Sequence, residues 1–455
     1  MHRSPIARSL LLVLALALVA SACSGRDDDD TSSGGGGGSS DGGSETADGV
    51  IDTADCPDTG TAGISDDNVI TLASSFPQSG LTAAFAQISK GYKAYFDKVN
   101  ADGGIEIAGE TYTVEIVDQD DEYDAAQTVT NINELVGSPD YTDAFAVFNV
   151  VGTANNVAIR EVLGDNCVPN VFAATGSPVW GNPDFPWTIG STLAPYTIEA
   201  SAFVELLKEE KPDATVAMLV QDDDFGQAYQ EGVEQAIEGT DITIAQVETY
   251  PAGSSEVAAQ MTSLNASGAD VFFNGATLLA CPTALQEAQE SEYEITFVSG
   301  TCISKTLMGI AGEAGEGAYA VTNIKDVISP EFADDPAMVE YKEVLAEFGE
   351  DDVDPENGIV AYGYTQADIL RQVLEGLPEL TRGNLMNAMY EIDGLTSGLM
   401  IDGSTVTTSA DDRFIAENVQ LVQYDAAGGF FNYLGEVLDF EGTTADITPA
   451  DLIES

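Results

Sequence analysis

Short β-branched and aromatic runs alternate with helical stretches along most of the chain. Residues 69–73, 112–117, 145–150 and 169–172 read as strands, because each gathers apolar or β-branched positions between turn residues. Between them, residues 82–99, 124–135 and 154–163 carry apolar positions at helical spacing. A second series of the same kind starts after Pro195, with helices at 196–207, 227–237, 255–264 and 282–290 and strands at 215–220, 242–247, 270–273 and 294–298. Each series predicts an αβ lobe with a mostly parallel sheet covered on both faces. Past a strand at 318–321 the pattern turns helical, at 336–348, 359–374 and 381–392, with short strands only at 398–401 and 419–424. That is too little strand for a third open sheet. The chain is therefore expected to return to the first lobe and then cross again to the second. Two facing lobes of this type leave a cleft beyond the carboxyl ends of their strands, where helix N-termini point outward.

The N-terminal region departs from this rhythm. Arg3 and Arg8 precede an apolar run from Leu10 to Ala20, followed by the small residues Ser21 and Ala22. A cationic start, an apolar stretch of roughly 11 residues and a small-residue cut site describe an export signal over 1–22, since a membrane span needs about 20 apolar residues. Cys23 follows directly and resembles the lipidated cysteine of a bacterial lipobox, with Ala20 where Leu is usual. Lipidation of Cys23 is expected; the alternative is ordinary cleavage that leaves a free thiol. Residues 23–55 are mostly Asp, Ser and Gly and read as a flexible, self-repelling tether. The folded body is thus expected outside the cytoplasm, held to the outer face of the cell membrane by lipid alone. Lobe 1 is expected at 56–192 plus 325–415, lobe 2 at 193–324 plus 416–440, and a C-terminal tail at 441–455.

Charge narrows the choice of partner. Asp and Glu number 77 against 15 Lys and Arg, a formal charge of −62. Such a field repels phosphate backbones and anionic lipid, which excludes nucleic acid and polybasic membrane contact. A hydrophobic content of 44% nevertheless supports a folded core, so the acids read as surface adaptation. His2 is the single histidine and lies in the leader. Histidine-dependent nucleophiles, zinc sites and proton shuttles are therefore excluded from the working chain. The acidic run at 222–224 misses the calcium-loop spacing, and neither a metal nor a cofactor is expected.

Four further cysteines remain, Cys56, Cys167, Cys281 and Cys302. An even count in an exported chain points to two disulfides with three possible connectivities. Cys56–Cys167 with Cys281–Cys302 is favoured: the second pair brackets one helix and strand, and the first pins the end of the tether beside the first sheet. The rival, a site of four thiolates, lacks any C-x-x-C pair.

Five segments in fixed order carry a family likeness. They are Phe76-Pro77-Gln78-Ser79-Gly80, Asn100-Ala101-Asp102-Gly103-Gly104-Ile105, Ala173-Ala174-Thr175, Gln221-Asp222-Asp223-Asp224-Phe225-Gly226, and Ile310-Ala311-Gly312-Glu313-Ala314-Gly315-Glu316-Gly317. Over residues 68–435 the chain resembles the periplasmic leucine/isoleucine/valine-binding proteins, the solute receptors of ABC importers. The resemblance implies a type I periplasmic binding protein: two Rossmann-like α/β lobes, three crossovers and a ligand cleft between. Carried onto this sequence, it puts an aromatic lid at Phe85. It puts carboxylate or amide donors at Thr153, Ala154, Asn155, Ala174 and Thr175, and a second-lobe aromatic, usually tyrosine, at Phe225. Thr277 and Thr301 fall in two further cleft loops. The family's amino-acid binders hold the ammonium with an acid in the loop after the 294–298 strand, but here that loop reads Ser299-Gly300-Thr301-Cys302. An α-amino acid then needs another acid, such as Asp222 or Asp224, turned inward, because a buried ammonium without a partner costs several kcal/mol. Arg160 is the cation nearest in sequence to these positions.

The resulting expectation is a non-enzymatic, monomeric receptor that passes a branched-chain or other apolar amino acid, an amide or a small carboxylic acid to ABC permease subunits by lobe closure. A ligand sensor of the same fold is the alternative. An extracellular hydrolase working through two carboxylates is a weaker rival, because nothing singles out a pair among so many acids.

Overall fold

A computed structural model of the protein describes residues 50–289 and 291–455. The expected leader, Cys23 and most of the expected tether lie outside the described residues. The first sheet contains β1 (Val69–Phe76), β2 (Ile105–Ile107), β3 (Glu110–Asp120), β4 (Ala146–Phe148), β5 (Asn170–Ala173) and β6 (Thr188–Gly190). Their order is β2-β3-β1-β4-β5-β6. Only the β2–β3 hairpin is antiparallel; β1 runs parallel to β3 from Val69 beside Thr113 to Phe76 beside Asp120. Helices α1 (Ala86–Ala101), α2 (Ala125–Leu135) and α3 (Thr153–Asp165) connect these strands.

The second sheet holds β7 (Thr215–Gln221), β8 (Thr243–Tyr250), β9 (Val271–Gly275), β10 (Ile295–Val298), β11 (Tyr319–Thr322), β12 (Asn418–Asp425) and β13 (Phe430–Asp439). Its order is β13-β12-β11-β10-β9-β7-β8, parallel except at the β11–β12 and β12–β13 pairs. Helices α4 (Tyr196–Glu210), α5 (Asp224–Ala236), α6 (Ala258–Asn265), α7 (Ala280–Ala288) and α8 (Lys305–Ala311) belong to this stretch.

The next three helices, α9 (Pro336–Phe348), α10 (Gly358–Glu375) and α11 (Arg382–Met389), return to the first sheet. Their Tyr341, Tyr364 and Met386 share one apolar core with Leu72 of β1 and Phe148 of β4. Backbones of α1 and α10 touch because each presents a glycine: a Cβ on Gly91 or Gly363 would lie 2.0 Å from a carbonyl oxygen of the other helix. The buried guanidinium of Arg382 in α11 donates to the carbonyls of Tyr141, Ala144 and Phe145, which ties α11 to the start of β4. The chain therefore passes between the sheets three times, before α4, before α9 and before β12. Disulfides join Cys56 to Cys167 and Cys281 to Cys302.

Several local expectations differ from the structure. The helix expected from 82 begins instead as a 3-10 turn, Gly80–Phe85, and only then becomes α1. The expected strand at 398–401 is a single bridge, Met400 to Ile324, within a crossover. Strands β2 and β6 are three residues each, too short for a periodic signal. Strand β13 pairs with β12 across a turn containing Gly428 and Gly429, and its half-exposed edge blurs the alternation that would mark it. Residues 441–455 are not a loose tail. Glu417 accepts from the Gly442 and Thr444 N–H groups, and Thr448 bonds Thr197 of α4. After the short helix α12 (Ala450–Glu454), Arg160 of α3 donates to the Ser455 carbonyl.

Candidate functional site

One large cavity opens at the carboxyl ends of the strands of both sheets, between the two lobes. The backbone around it is strained. Tyr123, which lines it, and Leu278, next to the lining Thr277, have positive φ of 66° and 50°. Such conformations cost about 1–3 kcal/mol each and persist only where surrounding structure holds them, as at ligand sites.

The first-lobe wall is built from α3 and the strand β5. Gly152 caps α3 with φ 103°, and a Cβ there would lie 2.7 Å from Asn155 Oδ1 and 2.9 Å from the Tyr123 ring. The α3 N-terminus carries no side-chain cap, so its partial positive charge faces the cleft. Thr153 Oγ1 lies 2.6 Å from Thr175 Oγ1. Thr175 Oγ1 already accepts from Tyr196 Oη at 3.2 Å and from the Ser177 N–H at 3.2 Å. With both lone pairs occupied, Thr175 gives its proton to Thr153, and Thr153 keeps its own O–H for the cavity. Trp180 braces this wall by donating its Nε1–H to the Thr175 carbonyl.

The second-lobe wall carries an acid. Glu199 sits in the first turn of α4, 3% exposed, and lines the cavity. Its Oε2 accepts from Tyr229 Oη at 2.9 Å and from the Gly300 N–H at 2.8 Å, while Oε1 accepts no hydrogen bond from the described residues. Gly300 must be glycine for this approach, since a Cβ there would fall 2.7 Å from Oε1. Burial pushes the Glu199 carboxyl up to about 7 against the opposing pull of the two donors. Tyr196 stacks on Tyr229, and Phe225 meets both rings edge-on. Thr277 Oγ1, 6% exposed as a residue, finds no partner among the described residues and belongs to the same cavity.

Of the residues expected from sequence, Phe85, Thr153, Ala174, Thr175, Phe225, Thr277 and Thr301 come together around this cavity. Ala154 and Asn155 are not among its lining residues. The Asn155 amide is spent behind the wall, donating to Thr128 Oγ1 at 2.7 Å. Asp222 and Asp224 are exposed, and Asp223 between them caps α5 through the Gly226 N–H, so none of the three turns into the cleft. Glu199 is the acid that does. Arg160 lies elsewhere, stacked 3.8 Å over the Phe185 ring and bound to Ser455. Sequence reading missed Glu199 because an acid in a first helical turn is ordinary helix chemistry. Its one distinguishing signal was an apolar neighbourhood, Ile198 and Ala200 to Val204, that promises burial on most faces of α4.

A two-lobed α/β body with a cleft lined by opposed polar groups is the architecture of a solute receptor. The chain belongs to the periplasmic binding protein family, whose model matches residues 69–429, and its type is that of the extracytoplasmic leucine/isoleucine/valine receptors. It is 22% identical over 344 residues to the "Leu/Ile/Val-binding protein homolog 7" of Brucella abortus, covering 71% of this chain and 81% of that protein. Its fold is similar to a branched-chain amino acid ABC transporter structure from Thermus thermophilus with bound valine, at TM-score 0.71 and 18% identity over 82% of this chain and 96% of that one. A fatty acid ABC transporter substrate-binding protein from Thermomonospora curvata is similar at TM-score 0.69 and 20% identity, over 85% and 96%.

Proposed function

We propose that this protein is the lipid-anchored receptor of an ABC importer and that it captures an α-amino acid with an apolar side chain. The observation that carries the reading is the opposition of two chemistries across one cavity. Thr153 and the α3 N-terminus offer donors on one wall, and the unpartnered Oε1 of Glu199 offers an acceptor on the other. Tyr196 links them: its hydroxyl touches Thr175, and Glu199 follows one turn later on the same face of α4. Donors and acid are therefore neighbours, as the carboxylate and ammonium of one amino acid are.

In this reading the carboxylate sits on the Thr153 hydroxyl, which Thr175 orients, and at the uncapped N-terminus of α3. The ammonium sits on Glu199, with Thr277 and Thr301 beside it. Phe85 and Phe225 cover the apolar part. Glu199 does the work that an acid in the 299–302 loop does in the family's amino-acid binders, reaching the same loop from α4 through the Gly300 N–H. The proposed lobes are 56–192 with 325–415 and 193–324 with 416–440, closing on the ligand as a monomer. Closure shifts the population toward the form that the permease subunits accept, and no bond is made or broken. Export by the 1–22 leader and a diacylglycerol on Cys23 complete the proposal. The relatives named for branched-chain amino acids support this solute class, and the fatty acid receptor supports a cleft that also accommodates hydrocarbon.

The test is thermal unfolding and calorimetry of the leader-free protein with the apolar amino acids at pH 8. A ligand at 100 times its Kd adds about 2.7 kcal/mol of stability. Saturable binding of at least one of them is expected. Silence across the set, with binding of neutral amides instead, would overturn the ammonium assignment.

A further inference from the structure

The two oxygens of the Glu199 carboxyl are not equivalent. Oε2 accepts from Tyr229 Oη and from the Gly300 N–H, and Oε1 accepts from neither. The Gly300 N–H can only donate, and a proton on Oε2 would leave that atom one lone pair for two donors. Protonation therefore falls on Oε1, the oxygen those donors leave to the cavity. Ionised, Glu199 offers a solute an acceptor there; protonated, it turns an O–H toward the N–H groups of an ammonium.

Tyr229 can impose this division because its ring has no freedom. It is fully enclosed, stacked on Tyr196 with centroids 4.6 Å apart, edge-on to Phe225 at 5.3 Å and tilted against Phe273 at 5.5 Å. Burial and the neighbouring Glu199 charge push its phenol well above the usual tyrosine range, so it stays a donor throughout the neutral range. The second donor, Gly300, stands two residues before the disulfide-bonded Cys302.

The other titratable and charged groups at this end of the cleft are engaged elsewhere. On α4, Tyr196 Oη bonds Thr175. At the start of α5, Asp223 caps the helix through the Gly226 N–H and Asp224 is exposed. Tyr123 of the first lobe faces Asp223. Lys305 pairs with Glu356 and Lys325 with Asp335, while Asp326 accepts from the Phe431 and Ile328 N–H groups. Burial, opposed by the Gly300 and Tyr229 donors, sets the ionisation of Glu199. Tyr229 is not among the residues that line the cavity, so it reaches a solute only through Glu199.

We infer that Tyr229 is a positioning residue that fixes the solute class: with the Gly300 N–H it reserves Oε2 and so keeps Oε1 of Glu199 for the ammonium of the guest. This rests on the head-group reading above and deepens it. Loss of the phenol would leave the carboxylate one donor short, so that it ionises only at higher pH and offers its acceptor less often.

Tyr229→Phe keeps the ring and its stacking and removes the donor. The test follows Kd by calorimetry from pH 5 to pH 9 for an apolar amino acid and for the carboxylic acid of the same skeleton without the amino group. In the parent, amino-acid affinity should break near pH 7 and fall about tenfold per pH unit below it. In Tyr229→Phe the break should move up by about one pH unit or more, because a hydrogen bond to a charged group is lost, and the carboxylic acid should show no such movement. An unmoved break, or a loss that is equal at every pH and for both ligands, makes Tyr229 a packing residue and overturns the proposal. If no amino acid binds the parent, the head-group reading falls and the ligand-free proteins decide on Tyr229 separately. The Tm gap between each protein and its Glu199→Gln version should widen with pH until Glu199 has ionised in the native state and then level off. Levelling at a higher pH in Tyr229→Phe than in the parent upholds the positioning role, and levelling at the same pH overturns it.

Discussion

The two walls of the cleft solve opposite problems. The first-lobe wall is neutral: donors come from a helix N-terminus and from hydroxyls whose protons are directed by Tyr196 and Ser177. It needs no charge, and the strain that borders it is the positive φ of Tyr123. The second-lobe wall carries a carboxyl that only two donors support, enclosed by tyrosine and phenylalanine rings. Its strain is electrostatic, which is why burial lifts the Glu199 carboxyl to about 7. A chain with a formal charge of −62 has acids in excess on its surface, yet Glu199 in its cleft is almost fully enclosed.

The largest effect should come from removing the charged side of this contrast. Glu199→Gln is expected to weaken an ammonium-bearing ligand at least about thirtyfold at pH 8, in line with roughly 2–5 kcal/mol for breaking a buried charge pair. It should leave a ligand without an ammonium far less affected, and calorimetry on a matched pair reads the ratio. An equal loss for both would make Glu199 a structural residue.

The same substitution should stabilise the ligand-free protein. A carboxyl raised from 4.5 to about 7 binds its proton more tightly in the native state than in the unfolded one. Between those values, native stability therefore falls as pH rises, by up to about 3 kcal/mol for a shift of this size. Glu199→Gln should remove that share, raising Tm relative to the parent at pH 8 and not at pH 4. Glu417, also lifted to about 7 by burial, contributes a slope of the same sign that remains in the variant. For an ammonium ligand the sign reverses, since protonating Glu199 removes the acceptor, so affinity should fall as pH drops below about 7. A Tm difference that is constant from pH 4 to pH 8 would contradict the placement of Glu199.

On the neutral wall the effects should be smaller. Thr175→Val removes the hydroxyl that bonds Thr153, Tyr196 and the Ser177 N–H. It should weaken binding about tenfold, the worth of roughly one hydrogen bond. An unchanged Kd would show that the carboxylate lies elsewhere. Smallest is Asn155→Ala: its amide supports Thr128 behind the wall, so about 1 kcal/mol of stability should be lost in denaturant unfolding, with little change in Kd.

Much of this was legible along the chain. Strand and helix rhythm defined two αβ lobes and the return of the helices at 336–392 to the first of them, because those elements are long and their apolar periodicity is strong. Thr153 and Thr175 were reached through the family resemblance rather than periodicity, and both line the cavity. Asn155 shows the limit of that carry-over: two residues past Thr153, a rotation of about 200° around α3, its amide goes to Thr128 instead of the cleft.

What tertiary structure alone decided is which acid faces inward. Asp222 and Asp224 looked suitable because they border a cleft loop, but α5 begins there and leaves both exposed. Glu199 looked like an ordinary first-turn acid until β10 and α5 placed Gly300 and Tyr229 against it. Periodicity reports how each segment partitions between core and solvent, a property of its own residues. The burial of one carboxyl depends on segments some 30 and 100 residues away, and that convergence exists only once the lobe has folded.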